Sequence, residues 1–107
     1  MKCKVPPRDI ARQMPAKAAI VADFLKGLAN ADRLLILCAL AGGERSVSDL
    51  MEATGIAQTS MSQHLAKLKS EGIVDARREH RNLFYFIDHA AARDVMSVLY
   101  AHFCGKD

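Results

Sequence analysis

The most reactive side chains in this 107-residue sequence are three thiols, Cys3, Cys38 and Cys104. An odd number of cysteines, behind a start (MKCKVPPRD) without the apolar core of a signal peptide, argues against a structural disulfide framework. Three uses remain for them: core filling, metal ligation, or a redox switch in which one thiolate attacks an electrophilic sulfur and a second thiol resolves the product. By residue type alone, Cys38 within LLILCAL reads as a small core residue, since free cysteine is among the most buried side chains.

A second constellation lies in QTSMSQHLAKLKSEG. At 3.6 residues per turn Met61, Leu65, Leu68 and Gly72 share one side, which leaves Thr59, Ser60, Gln63, Ala66, Lys67 and Ser70 pointing away. Small hydroxyls, one amide and one lysine suit base edges and phosphates in a DNA major groove, although a merely solvated helix face has the same composition. Thr59, Ser60 and Gln63, near the helix start, are the candidate base-edge contacts. Lys67, Arg77, Arg78 and Arg81 are the candidate phosphate contacts, with a solvated loop as the alternative for the arginines. His64 flanks the apolar stripe and reads as a structural hydrogen-bonding residue.

The elements that must position these groups follow in order. Residues 1–12 contain Pro6 and Pro7 and little apolar periodicity, so they read as a flexible arm that ends in a helix start. An amphipathic helix is predicted from roughly Met14 to Ala29. A second helix, capped by Asn30 with Asp32 in its first turn, is apolar nearly all round and is therefore expected to be buried, ending at Gly42 and Gly43. Ser46 with Asp49 makes a capping pair for a third helix that stops at Gly55, and the recognition helix follows after a weak cap at Ala57. Ile73 to Ile87 alternates around the charged tip Arg77, Arg78, Glu79, His80, Arg81 and Asn82, which predicts a two-stranded hairpin. Asp88 is expected to cap a last helix, from about His89 to Cys104, and Gly105 to stop it.

Two short helices joined by a tight turn and followed at once by a basic hairpin make a winged helix-turn-helix. LANADRLLILCAL, SVSDL, SMSQHLAKLKSEGIV and the hairpin stand in the order and spacing of the ArsR/SmtB family of repressors, which this chain resembles over nearly its whole length. The resemblance implies a mainly α fold with a β-hairpin wing, four helices, the hairpin and a fifth helix. It also implies a homodimer joined through the first and last helices and a pseudo-palindromic operator in double-stranded DNA.

Many members of that family sense metals. A well-known site places two thiolates in the segment ELCVCDL, where this chain has Glu44, Arg45, Ser46, Val47, Ser48, Asp49 and Leu50, so soft-metal binding there is not expected. A second family site uses carboxylates and histidines of the last helix, and here Asp88, His89 and His102 lack its spacing. Cys38 and Cys104, by contrast, resemble the cysteine pair of a subgroup that senses persulfides, other sulfane sulfur or oxidants. Carried over, they form a disulfide or polysulfide bridge within one subunit that releases DNA. The alternatives are a zinc-responsive repressor of the same family and, further off, a thiol enzyme, for which the sequence shows no base, phosphate-cradling loop or substrate pocket.

The rest of the composition bounds the reading without deciding it. A net charge of +3 permits nucleic-acid binding, and half of the residues are apolar, as in a soluble globule. One domain spanning residues 1–107, cytoplasmic, with no membrane span, no metal and no cofactor, is the expectation.

Overall fold

The structure, a computed structural model, describes Arg8 and residues 10–105. The helix predicted from Met14 is broken near its start. A four-residue α1 (Ile10–Gln13) and a 3₁₀ turn (Met14–Ala16) precede α2 (Ala18–Leu28). Pro15 accounts for the break: it has no N–H to give a continuing helix, and the turn closes instead with the Lys17 N–H donating to the Met14 carbonyl at 2.8 Å. Residues 10–12 of the expected arm belong to α1, and residues 1–7, including Cys3, lie outside the described residues.

From Asn30 onward the expected order holds, as α3 (Ala31–Ala41), α4 (Val47–Thr54), α5 (Gln58–Ser70), the wing, and α6 (Ala90–Phe103). Asn30 caps α3 by accepting the Arg33 N–H at 3.1 Å, and Ser46 caps α4 by accepting the Asp49 N–H at the same distance. One strand was not expected. β1 (Arg45–Ser46) pairs antiparallel with β3 (Asn82–Ile87), which pairs with β2 (Val74–Glu79), so the wing is the outer part of a three-stranded sheet ordered β1-β3-β2. Asp88 is not the cap of α6. His89 holds that position and makes no side-chain capping bond, while the Asp88 N–H donates to the Ile73 carbonyl at 2.9 Å.

The core lies where α3, α4, α5 and α6 meet the inner face of the sheet, and its fully buried side chains include Ile36, Leu37, Leu50, Met61, Leu65, Leu68, Ile73 and Val74. No polar or charged side chain is buried among the described residues. At roughly 1.5–3 kcal/mol per buried aliphatic side chain, this cluster is the main force holding α5 to the body of the domain. The expectation that α3 is buried on all sides fails. Only Ile36, Leu37 and Leu40 are buried, while Leu35 is 47% exposed and Cys38 is exposed. Exposed apolar side chains also line α2 (Ile20, Val21 and Leu25) and α6 (Val98, Tyr100 and Phe103). No helix among the described residues is long and apolar enough to cross a membrane.

Candidate nucleic-acid interface and thiol cleft

The turn between α4 and α5 sets the direction of the recognition helix. Gly55 adopts φ 77°, open to a residue without Cβ, and its N–H donates to the Met51 carbonyl at 2.8 Å. The Thr54 hydroxyl donates to the Leu50 carbonyl at 2.6 Å and accepts the Ile56 N–H at 3.2 Å, so the chain reverses within three residues. Ala57 gives α5 no side-chain cap. Ile56 and Met61, both buried, stand at the positions of a hydrophobic staple and fix the entry angle instead. At its other end α5 closes through Gly72, also at φ 77°, with bonds from the Gly72 N–H to the Lys69 carbonyl and from the Ile73 N–H to the Leu68 carbonyl, both 3.0 Å. The second bond drops Ile73 into the core and aims the chain straight into β2.

Held this way, α5 buries Met61, Leu65 and Leu68 and exposes Thr59, Ser60, Gln63 and Lys67, as the periodicity predicts. Thr59 and Ser60 occupy its first turn, whose free N–H groups carry the positive end of the helix dipole. Lys67 lies two turns further on and meets Glu71 at 3.7 Å in an exposed i,i+4 pair. His64 faces α3: its Nδ1 accepts from the Arg33 Nε at 3.4 Å and its Nε2 stands 3.6 Å from an Asp32 carboxylate oxygen. Arg33 also donates to the Gly27 carbonyl at 3.4 Å, so one guanidinium joins the end of α2, the start of α3 and the middle of α5.

In the wing, Glu79 opposes Asn82 and the connection is the two residues His80 and Arg81, with His80 at φ 61°. Arg78 and Arg81 are exposed and make no ion pair with a described residue. Arg77 is different. Its Nε donates to Glu44 at 2.7 Å, a terminal nitrogen donates to Glu79 at 3.0 Å, and its guanidinium carbon lies 5.1 Å from the centre of the Phe84 ring. The hydrogen bonds to Glu44 and then Glu79 raise its pKa above the already high ordinary value. Sequence reasoning singled out Arg77 and missed both partners. Glu79 is two residues away on the same strand face and was legible from strand periodicity, whereas Glu44 is brought in only by the fold.

The thiols belong to α3 and to the residue that follows α6. Cys38 lines an open cleft of about 420 Å³ with Ala41 and Gly42 of the end of α3 and Met96, Ser97 and Tyr100 of α6. Cys104 directly follows α6, is exposed, and donates its N–H to the Tyr100 carbonyl at 2.9 Å. One helical turn therefore separates Cys104 from a residue of the Cys38 cleft. Lys106, the cation nearest to Cys104 in sequence, lies outside the described residues.

The segment that resembles a family metal site is occupied otherwise, since the Ser46 hydroxyl is engaged as the cap of α4. His89 is stacked on Phe24 with ring centroids 4.6 Å apart, and its buried Nδ1 has no hydrogen-bond partner. Among the described residues no three His, Cys, Asp or Glu side chains converge as a metal site would require.

Comparison with known proteins agrees with this geometry. Residues 30–76, from the cap of α3 into the first wing strand, match the bacterial regulatory protein, arsR family. The chain is 37% identical over 101 residues to the biofilm growth-associated repressor of Xylella fastidiosa (strain 9a5c), covering 94% of this chain and 89% of that protein. The crystal structure of the transcriptional repressor BigR from Xylella fastidiosa superposes with a TM-score of 0.82 at 38% identity, covering 90% of this chain and 98% of the other. Reduced HlyU from Vibrio cholerae does so with the same TM-score at 33% identity, covering 87% and 98%. The homodimeric winged helix-turn-helix DNA-binding domain from Mycobacterium bovis gives a TM-score of 0.65 at 32% identity, covering 95% and 89%. With relatives at this identity matched over almost their full length, the chain belongs to the ArsR family of bacterial regulatory proteins and is a DNA-binding transcriptional regulator of the winged-helix type.

Proposed function

We propose that this protein is a homodimeric cytoplasmic repressor that grips pseudo-palindromic operator DNA while Cys38 and Cys104 are reduced and releases it when sulfane sulfur or an oxidant bridges them. The observation that carries the reading is the exposure of both thiols, Cys38 in particular, on a helix whose composition alone would bury it. A cysteine that merely filled the core would have no access to a reagent. Exposed apolar side chains on α2 and α6 support association through those helices, and a related domain from Mycobacterium bovis is homodimeric. Two copies would present two α5 helices and two wings, with Thr59, Ser60 and Gln63 at base edges and Lys67, Arg78 and Arg81 at phosphates.

The sulfur chemistry balances with one reagent. The Cys38 thiolate takes the outer sulfur of a persulfide R–S–SH, giving a Cys38 persulfide and R–SH. The Cys104 thiolate then attacks the sulfur attached to Cys38, forming the Cys38–Cys104 disulfide and expelling hydrosulfide. Two thiols are oxidised by two electrons, and the sulfane sulfur leaves as sulfide. If a second R–S–SH first converts Cys104 to a persulfide, releasing R–SH, attack of its outer sulfur on the sulfur attached to Cys38 expels hydrosulfide and leaves a trisulfide bridge.

The test is intact mass spectrometry of the reduced protein after treatment with an organic persulfide or with peroxide, beside Cys38→Ser and Cys104→Ser, followed by operator binding on the same samples. A Cys38–Cys104 crosslink, seen as a loss of two hydrogens with or without added sulfur atoms, and weakened DNA binding that either substitution abolishes, is the expected result. An unchanged mass, or a crosslink that leaves DNA affinity intact, overturns the switch.

A further inference from the structure

The corner between α3 and the wing is tied together more heavily than a surface turn requires. β1 is laced to β3, with Arg45 opposite Tyr85 and Ser46 opposite Phe84. The Arg45 Nε donates back to the Ala39 carbonyl of α3 at 2.8 Å. Glu44, between the end of α3 and β1, reaches across to Arg77 on β2, which also holds Glu79 and lies over Phe84. Three elements thus converge on one guanidinium. The trio of one cation and two carboxylates carries a net charge of −1, the wrong sign for a phosphate contact. Its Nε–H and one terminal N–H are already held by Glu44 and Glu79, so a phosphate would meet a guanidinium that is partly engaged and already over-neutralised, unlike those of Arg78 and Arg81.

We infer that Arg77 is a positioning residue, clamped by Glu44 to the end of α3, which fixes the angle at which the wing carries Arg78 and Arg81 to the phosphates. This rests on the reading of the wing as a DNA contact and changes what one of its arginines does. It also gives a mechanical route from the thiol cleft to the wing. Ala41 and Gly42 line the cleft beside Cys38, and Glu44 follows two residues later, so a shift of the α3 end moves the anchor of Arg77.

Two readings of Arg77 predict opposite signs for one substitution. If Arg77 reached phosphate and Glu44 merely competed for it, Glu44→Ala would free a cation, tighten DNA binding and steepen its salt dependence. If Glu44 anchors the wing, the same change weakens binding although a negative charge has been removed. The experiment is fluorescence anisotropy with a random-sequence 30-base-pair duplex over a series of salt concentrations, since phosphate contacts do not depend on sequence. The dimer of the 107-residue chain is used as wild type, Glu44→Ala, Arg77→Ala and the double variant, with circular dichroism to verify folding. Each single variant is expected to weaken binding by about fivefold, and the double variant to be no weaker than Arg77→Ala, because both remove one joint. Arg77→Lys, which can still meet Glu44, is expected to recover part of the loss. Tighter binding by Glu44→Ala, additive losses in the double variant, or no change in any variant would overturn the inference. Absence of salt-dependent binding by the wild type would instead sink the DNA-binding reading itself, and is seen before any variant is compared.

Discussion

Replacing single glycines by alanine separates backbone conformation from packing at the two turns that aim the DNA-reading elements. Gly55 and Gly72 both sit at φ 77°, and a Cβ at either would meet nothing within 4 Å. The cost of alanine is therefore conformational alone, about 1–2 kcal/mol for an L-residue in the left-handed region. Reduced freedom of the unfolded chain returns about 0.4–1 kcal/mol. The net expectation is a loss of about 0.8 kcal/mol at each position, the two ranges allowing roughly 0–1.6, and equal within error because the two backbones are alike. Gly42 provides the control. It too has open space for a Cβ, but its φ of −84° is ordinary, so only the unfolded-state effect operates and Gly42→Ala should stabilise by about 0.4–1 kcal/mol. Urea unfolding followed by circular dichroism reads all three, at one fixed protein concentration because dimerisation adds to apparent stability. Were Gly42→Ala to destabilise as much as Gly72→Ala, or all three to lie within a few tenths of a kcal/mol of the wild type, the assignment of the left-handed turns would be wrong. Gly72→Asn should cost less than Gly72→Ala, since asparagine tolerates that conformation.

Other expectations follow from the same geometry. Leu65→Ala removes a buried side chain that pins α5 to the core and should cost about 2–5 kcal/mol in urea unfolding; a loss below about 1 kcal/mol would mean that the helix is held otherwise. Gln63→Ala should weaken binding to the cognate operator by about 1–3 kcal/mol while leaving affinity for random duplex unchanged, and equal losses on both would move Gln63 from base reading to phosphate contact. Arg81→Ala should weaken binding to both duplexes alike and lower the slope of log affinity against log salt by about 0.9 per wing engaged; an unchanged slope would leave the tip as a solvated loop. Phe103→Glu, at an 81% exposed position of α6, should yield monomers in analytical ultracentrifugation, whereas an intact dimer would put the interface elsewhere.

Much of the DNA-reading half was legible because its signals are local. Asn30, Ser46 and Gly55 mark helix ends through bonds that span three or four residues, and the 3.6-residue stripe of Met61, Leu65 and Leu68 assigns Thr59, Ser60 and Gln63 to the opposite face. Even the break before α2 had its signal in Pro15. β1 had none, because two residues show no alternation and Arg45–Ser46 becomes a strand only by pairing with β3 across about forty intervening positions. The same holds for Glu44 and Arg77: neither residue type nor spacing announces their contact, which only the fold brings about.

Cys38 shows a different limit of sequence reading. LLILCAL is apolar on every face of α3, and in a monomer such a helix belongs in the interior. Apolar periodicity reports only that a face avoids water, not which surface covers it. In this fold the sheet, α4 and α6 cover Ile36, Leu37 and Leu40, while Leu35 and Cys38 remain exposed. The exposed rows of α2 and α6 have the same property, so the apolar surplus of a small chain is divided between its own core and outward-facing sites. A thiol on that outward share is open to solvent while lining one cleft with Met96 and Tyr100 of the helix that leads to Cys104. Burial in the core would protect Cys38; under the switch proposed above, its placement at the cleft between α3 and α6 is what would let a covalent event at one sulfur bear on the packing of those two helices.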